Sequence, residues 1–520
     1  MILTSFKPML KPDKFAPTLF PIDLAAIASI LAFSILILLL LISGNICRGD
    51  RCWIDTRPKV AEFSWQNQVI RAADNAFVVE FNRPMDHQGV EDHLKLTIPD
   101  KPEITDPLPG RFSWAGRRLA YTLNFPAPYG DRYHISLSNA QEKFRGSNEL
   151  GQEMQPFEAV FRTPDRILAY IGLDRSEAGR LVLYNLTQQR KTLLTPPNLV
   201  VTEFQPYPDG QSILFSALDG SNTGSSILEQ QLYRVTTGIS LAMDPQERPT
   251  TAAGQVSLVL DNQTHQLLNF DLSADGSIIV AQRISRENPT DVGLWLLRQG
   301  RDPVPLENQP GGTFQIAPDN ALIAMAQGEG IALLSLEPGA EPLDFLAQFG
   351  MVLDFSPDGT TAAMVDFNRD DPDLLYTRSL YLVTNQRTQE KIFDTQGSIV
   401  NCQFDPRGEN LYCLLTTLLE GQEYREQPYI AQVNLDKKEI QPLTTLPDYQ
   451  DIHLSVAPDG LALLFDQIVT DPEGNSSLQT DAGESISDSQ IWLLIPSVDP
   501  EKPPVLETLP FIGIQPQWLP

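Results

Sequence analysis

Apolar and polar positions follow three different rhythms along this chain. The first is an unbroken apolar run, LAAIASILAFSILILLLLIS from Leu24 to Ser43, with no charge in twenty residues. That is about the length a helix needs to cross ~30 Å of hydrocarbon. The run exceeds the core of an ordinary leader peptide and no A-x-A-like site follows it, so it predicts an uncleaved anchor. The bulky Ile46 before Cys47 also fits a lipoprotein cleavage box poorly. The second rhythm is a period of two, in NAFVVEF (75–81), RRLAYTLNF (117–125), RYHISLSNA (132–140) and FEAVFRTP (157–164). Alternation rich in aromatic and β-branched residues predicts half-buried strands, and loop phrases such as PAPYGD (126–131) separate them at the intervals of a sandwich.

The third rhythm is a repeated phrase: a strand, a Pro-Asp-Gly turn and a second strand of small and aliphatic residues. Its copies begin at Phe204, Phe270, Phe314, Leu353, Cys402 and Leu454, and their turn glycines, or the asparagine replacing one, fall at 210, 276, 320, 359, 408 and 460. Proline pre-sets φ at the first central position, aspartate suits the second, and glycine or asparagine relieves the exit, so each copy predicts a hairpin. A third strand follows, as in GLWLLRQ (293–299), SLYLVTN (379–385), YIAQVNL (429–435) and QIWLLIP (490–496), and then a weaker fourth, as in KIFDT (391–395). Internal repetition of four antiparallel strands describes the blades of a propeller.

The two ends of this region complete each other. IGIQPQWLP (512–520) reads as a first strand without a second, whereas TPDRILAYIG (163–172), LVLYNL (181–186) and KTLLT (191–195) read as later strands without a first. Joining them predicts a seventh blade, closed by a strand that includes Ile514, Pro516 and Trp518. Such closure removes sheet edges that would otherwise template aggregation.

The turn spelling and the Gln-Trp-Leu-Pro ending resemble the TolB-like repeats, propellers found in envelope proteins and in prolyl oligopeptidase-type peptidases; the resemblance spans about residues 165–520. VVEFNRPMD, WAGRRLAYTL and the closing FRTP resemble bacterial Ig-like domains of surface proteins. The expected class is therefore all-β. Its parts are a tail (1–23), a transmembrane helix (24–43), a juxtamembrane linker (44–61), an Ig-like β-sandwich (62–163) and a seven-bladed β-propeller (164–520). Positive charges nearly balance across the span, with Lys7, Lys11 and Lys14 before it and Arg48, Arg51, Arg57 and Lys59 after it. The resemblances, rather than the charges, put the N-terminus in the cytoplasm and the large domains outside it.

Charge narrows the partners. Acidic residues outnumber basic ones by 66 to 38, a net charge of −28 that repels nucleic acid. Cys47 and Cys52 in CRGDRC are spaced for a small juxtamembrane disulfide or two neighbouring thiols; an adhesion reading of Arg48-Gly49-Asp50 is set aside because the loop lies so close to the bilayer. Cys402 and Cys413 are equidistant from the turn at 405–410, so they face one another across a hairpin as a disulfide or as packed thiols.

No Gly-x-Ser-x-Gly elbow occurs and no hydrolase domain follows the repeats. His87, His93, His134, His265 and His453 are scattered without metal-ligand spacing and read as surface or strand residues. These observations predict no enzyme, no catalytic residue, no cofactor and no metal centre. Acidic loops are the candidate interaction sites: Asp370, Asp371 and Asp373 in NRDDPD, and Asp471, Glu473, Asp481, Glu484 and Asp488 in a long insertion. Carboxylates bind calcium through hard oxygens, but neither loop has calcium-loop spacing, so calcium is a weak expectation. The expected role is a membrane-anchored binding or scaffold protein of a bacterial envelope, with an envelope protein as partner. The alternative is a small ligand or peptide in the propeller channel, serving a sensor or a hydrolase accessory.

Overall fold

The computed structural model describes residues 57–143, 151–220, 227–244, 251–306, 311–369, 377–419, 425–447, 452–471, 483–497 and 502–520, together with 26, 28–37, 372–374, 478–480 and 499. Its regular structure is almost wholly β-strand among the described residues. Residues 28–37, inside the expected span, are helical, with Ile30, Leu31, Phe33, Ile35, Leu36 and Ile37 exposed. Among the described residues no helix is long and apolar enough to cross a membrane; the rest of the twenty-residue run, like Cys47 and Cys52, lies outside them.

Two antiparallel sheets come first. Val60–Phe63, Ala76–Phe81, Arg118–Leu123 and Gly110–Ala115 make one; Leu94–Thr97, Arg132–Leu137 and Phe157–Arg162 make the other. Alternate side chains of both enter a shared aromatic core of Phe63, Trp65, Phe77, Phe81, Tyr133 and Phe161, which explains the period of two. A short helix, His87–His93, is capped by Asp86.

Among the described residues, seven four-stranded antiparallel sheets follow, and they have the form of propeller blades. Six use four consecutive strands each. The remaining one joins Ile167–Gly172, Leu181–Asn185 and Arg190–Leu193 to Gly513–Trp518, which pairs with Ile167–Gly172 in the register Ile514↔Ile171 and Trp518↔Leu168. Ile514, Pro516 and Trp518 are all buried there. The second strand of each blade is covered on both faces by its neighbours. Ile167–Gly172 and all but the last residue of Ser212–Asp219 are accordingly buried, whereas the outermost Val505–Thr508 is wholly exposed.

The repeated turns have the geometry their spelling implies. In each, the N–H of the turn glycine or Asn320 donates to the carbonyl three residues earlier, as from Gly210 to Tyr207 at 2.8 Å, and φ at that position is positive. The turns also stack from blade to blade. A Cβ on Gly276 would lie 3.0 Å from Pro208, and one on Gly460 would lie 3.0 Å from Pro406, so glycine satisfies both the left-handed backbone and the close approach.

Polar side chains bind one blade to the next. The residue five before each turn glycine or asparagine is Gln205, Asp271, Gln315, Asp354, Gln403 and Ser455 in turn, with Gln517 on the C-terminal strand. Gln205 Nε2 donates to Asp271 at 3.0 Å and its Oε1 accepts from Leu272 N–H. Asp271 accepts from Ile316 N–H at 2.6 Å, Gln315 bonds Asp354, and Asp354 accepts from Phe404 N–H at 2.8 Å. Gln403 bonds both Leu454 carbonyl and Val456 N–H. Ser455 accepts from Trp518 N–H, and Gln517 donates to the Phe204 carbonyl, so the C-terminal strand is held by the blades on both sides. Inner-strand backbone groups that a blade leaves unpaired are thereby satisfied by the neighbouring blade.

Candidate functional site

Antiparallel pairing fixes which connections share a face of the disc. Each inner strand runs into its Pro-Asp-Gly turn, so those turns lie on one face and the connections from second to third strand lie on the other. The polar insertions belong to the second set, including 219–231, 366–378 and 471–485.

The sandwich is fastened to the turn face. Asp459, whose side chain is 1 % exposed, accepts from Tyr129 N–H at 3.0 Å and from the Arg166 guanidinium at 2.7 Å. Arg71 donates to the carbonyls of Pro208 and Asp209, both at 2.7 Å, and Arg162 donates to those of Ser240 and Ala242. One copy spells its turn Pro-Arg-Gly, and there Arg407 stacks on Phe125 of the sandwich at 4.8 Å. A part-buried charge pair, guanidinium–carbonyl bonds and a cation–π contact thus engage the turns at 208–209, 407 and 459 and the connection at 240–242.

The inner strands surround a channel of about 520 Å³. Bulges interrupt them at 201–203, 267–269 and 399–401, just before Glu203, Asn269 and Asn401, and aim those side chains inward. These residues, with Thr313, Val352 and His453, stand seven before their turn residues, towards the face opposite the sandwich. His453 Nδ1 lies 3.0 Å from Asp466 Oδ2. Asp466 is wholly buried and also accepts from the N–H groups of His453 and Gln515, each at 2.7 Å. Deeper in, burial pushes the Asp271 carboxyl above its usual range and the Asp354 carboxyl up to about 6, against the N–H groups that bond them.

The cysteines and acidic loops are placed apart from this channel. Cys402 and Cys413 pair across their hairpin and form a disulfide within a buried apolar cluster. Asp373, Asp471, Glu484 and Asp488 are exposed on or beside connections opposite the sandwich; Asp370, Asp371, Glu473 and Asp481 lie outside the described residues. Among the described residues no three His, Cys, Asp or Glu side chains gather as metal ligands. His453, read from the sequence as a surface or strand residue, lines the channel and is held by a buried carboxylate.

No family model matches the chain, and no curated protein does. Solved structures do. TolB from Acinetobacter baumannii is 11 % identical, with 79 % of this chain and 82 % of that one covered at a TM-score of 0.37. The chain carries a β-propeller similar to that of TolB. An oligogalacturonate lyase in complex with manganese is 14 % identical, with 55 % and 79 % covered and a TM-score of 0.43. A Bacteroides uniformis protein assigned as a 6-phosphogluconolactonase is 14 % identical, with 68 % and 100 % covered and a TM-score of 0.41. These likenesses concern fold and assign no activity to this chain. They do overturn the inference that lack of a nucleophile elbow and of a hydrolase domain makes it no enzyme, because enzymes stand among the similar propellers.

Proposed function

We propose that this protein is a membrane-anchored scaffold of a bacterial envelope that binds a protein partner on the propeller face opposite the sandwich. In this reading the seven four-stranded sheets form one closed ring, the preceding pair of sheets is an Ig-like spacer, and the run from Leu24 to Ser43 is the anchor, with the large domains outside the cytoplasm. The supporting observation is the occupation of the turn face. Asp459, Arg71, Arg162 and Arg407 commit part of that face to an internal contact, and the longer polar connections join strand ends on the other. Rigid scaffolds commonly recognise partners through loops held in this way. The net charge of −28 favours a partner with a basic docking surface.

Crosslinking in native membranes, followed by affinity capture and mass spectrometry, tests the proposal. A near-stoichiometric envelope protein joined through the connections at 366–378 or 471–485 is the expected product. Recovery of the protein alone, or of partners joined only through the turn face, contradicts it.

A further inference from the structure

The channel carries two rows of mostly polar side chains, and the two are spent on structure to different degrees. The row five before the turns supplies the bonds between blades, as with Gln403 to Leu454 and Val456. In the row seven before the turns, His453 is held by Asp466, which also bonds the C-terminal strand, whereas the side chains of Asn269, Thr313 and Asn401 bond no neighbouring blade among the described residues. Among the described residues, the side chains of Asn401 and Thr313 make no hydrogen bond, and Asn269 uses only its carbonyl oxygen, on its own neighbour Phe270 N–H at 2.7 Å. Bulges at 201–203, 267–269 and 399–401 nonetheless turn Glu203, Asn269 and Asn401 of this row inward, while the carbonyls of Thr202 and Leu267 are taken by Gln515 and Gln230 of the neighbouring blades.

We infer that the channel mouth opposite the sandwich is a binding site for a neutral, polyhydroxylated ligand, that is, a carbohydrate. The lining selects the class. Among the described residues no lysine or arginine lines the cavity, so an anionic sugar or phosphate has no counter-charge there. The Asn401 and Asn269 amides and the Thr313 hydroxyl both donate and accept, matching hydroxyl groups that do the same. Glu203 and the Asp466-held His453 lie on the side of the channel where the C-terminal strand enters, and Thr313 and Val352 lie across from them. One edge of the ligand therefore meets a carboxylate and an imidazole while the other meets small, uncharged groups. About 520 Å³ is within the range of small-molecule sites. The inference is independent of the protein-partner reading, which uses the peripheral connections.

The test is calorimetric titration of the detergent-solubilised full chain with cellobiose, maltose and chitobiose, with a digalacturonate and a lysine hexapeptide as contrasts. Saturable binding of at least one neutral disaccharide is expected, with no binding of the digalacturonate. The Asn401→Ala/Thr313→Ala variant should weaken that binding about ten-fold or more, which is the loss of roughly one good hydrogen bond. Its melting curve should match the parent's, because neither side chain has a protein partner; Asn269→Ala serves as a second variant if the first unfolds. Three results overturn the inference: no neutral disaccharide bound at millimolar concentration, preferential binding of the lysine peptide, or binding that both variants leave unchanged.

Discussion

Asp354 offers a sharp test of the bonds between blades. Its carboxyl accepts from Phe404 N–H at 2.8 Å and from Phe355 N–H at 2.8 Å, and it meets Gln315, yet burial raises its pKa from 3.8 to about 6. A folded-state pKa above the unfolded value means that the folded protein holds the proton more tightly. The group therefore favours folding below about pH 4, and this contribution is lost as the pH rises through 6. A shift of about two units corresponds to about 3 kcal/mol as an upper bound at neutral pH. Asp354→Asn removes the charge but leaves one acceptor oxygen, so one of the two N–H groups, which Oδ1 and Oδ2 accept separately, loses its partner; glutamine already serves the equivalent junctions at 205, 315 and 403 without a charge. In urea unfolding the stability of the variant relative to the parent should rise by about 1–3 kcal/mol between pH 4 and pH 7.5, from a value lowered by the lost hydrogen bond. A relative stability that stays flat or falls across that range would refute the reasoning, because the carboxyl would then ionise in the folded protein without a penalty.

Other outcomes follow from single contacts. Trp518→Ala removes a buried indole from the strand that completes the first blade and should cost about 3–5 kcal/mol by urea unfolding. Deletion of 511–520 should lower the melting temperature further and promote aggregation, because it leaves Ile167–Gly172 with an open edge; an unchanged melt would contradict the pairing. Asp459→Asn leaves Arg166 beside a neutral amide and should speed amide exchange at Tyr129 and Gly130 while leaving the exchange of distant blades unchanged. Replacing Cys402 and Cys413 with serine should cost about 2 kcal/mol or more for so short a closed loop, and the parent should run without free thiols at these positions.

The repeat was legible because a Pro-Asp-Gly turn is local: four residues state its geometry wherever it occurs. The partnership of Gly513–Trp518 with Ile167–Gly172 was also readable, since two incomplete phrases have one completion. The row from Gln205 to Ser455 was not seen, although its constant offset from the turns marks it. A lone polar residue in a strand reads as solvent-facing, and here its partner is the backbone of another blade. His453 and Asp466 escaped for a different reason. They are opposite one another about their turn, as Cys402 and Cys413 are about theirs, and the same symmetry argument would have paired them. Docking of the sandwich rests on contacts far apart in sequence, and only the Pro-Arg-Gly departure at Arg407 hinted at it. The strands Val60–Phe63 and Leu94–Thr97 are too short, and too weakly alternating, to stand out from their flanks.

The account's central claim is that the sandwich docks on the turn face, at the turns of 208–209, 407 and 459, and that a partner binds the opposite face. Photo-crosslinkers placed singly at Glu484 and Asp488 on the open face, and at Asp275 and Asp319 on the turn face, test it in native membranes. The account predicts one common adduct from the first pair and none from the second; an adduct confined to the turn-face positions would contradict it.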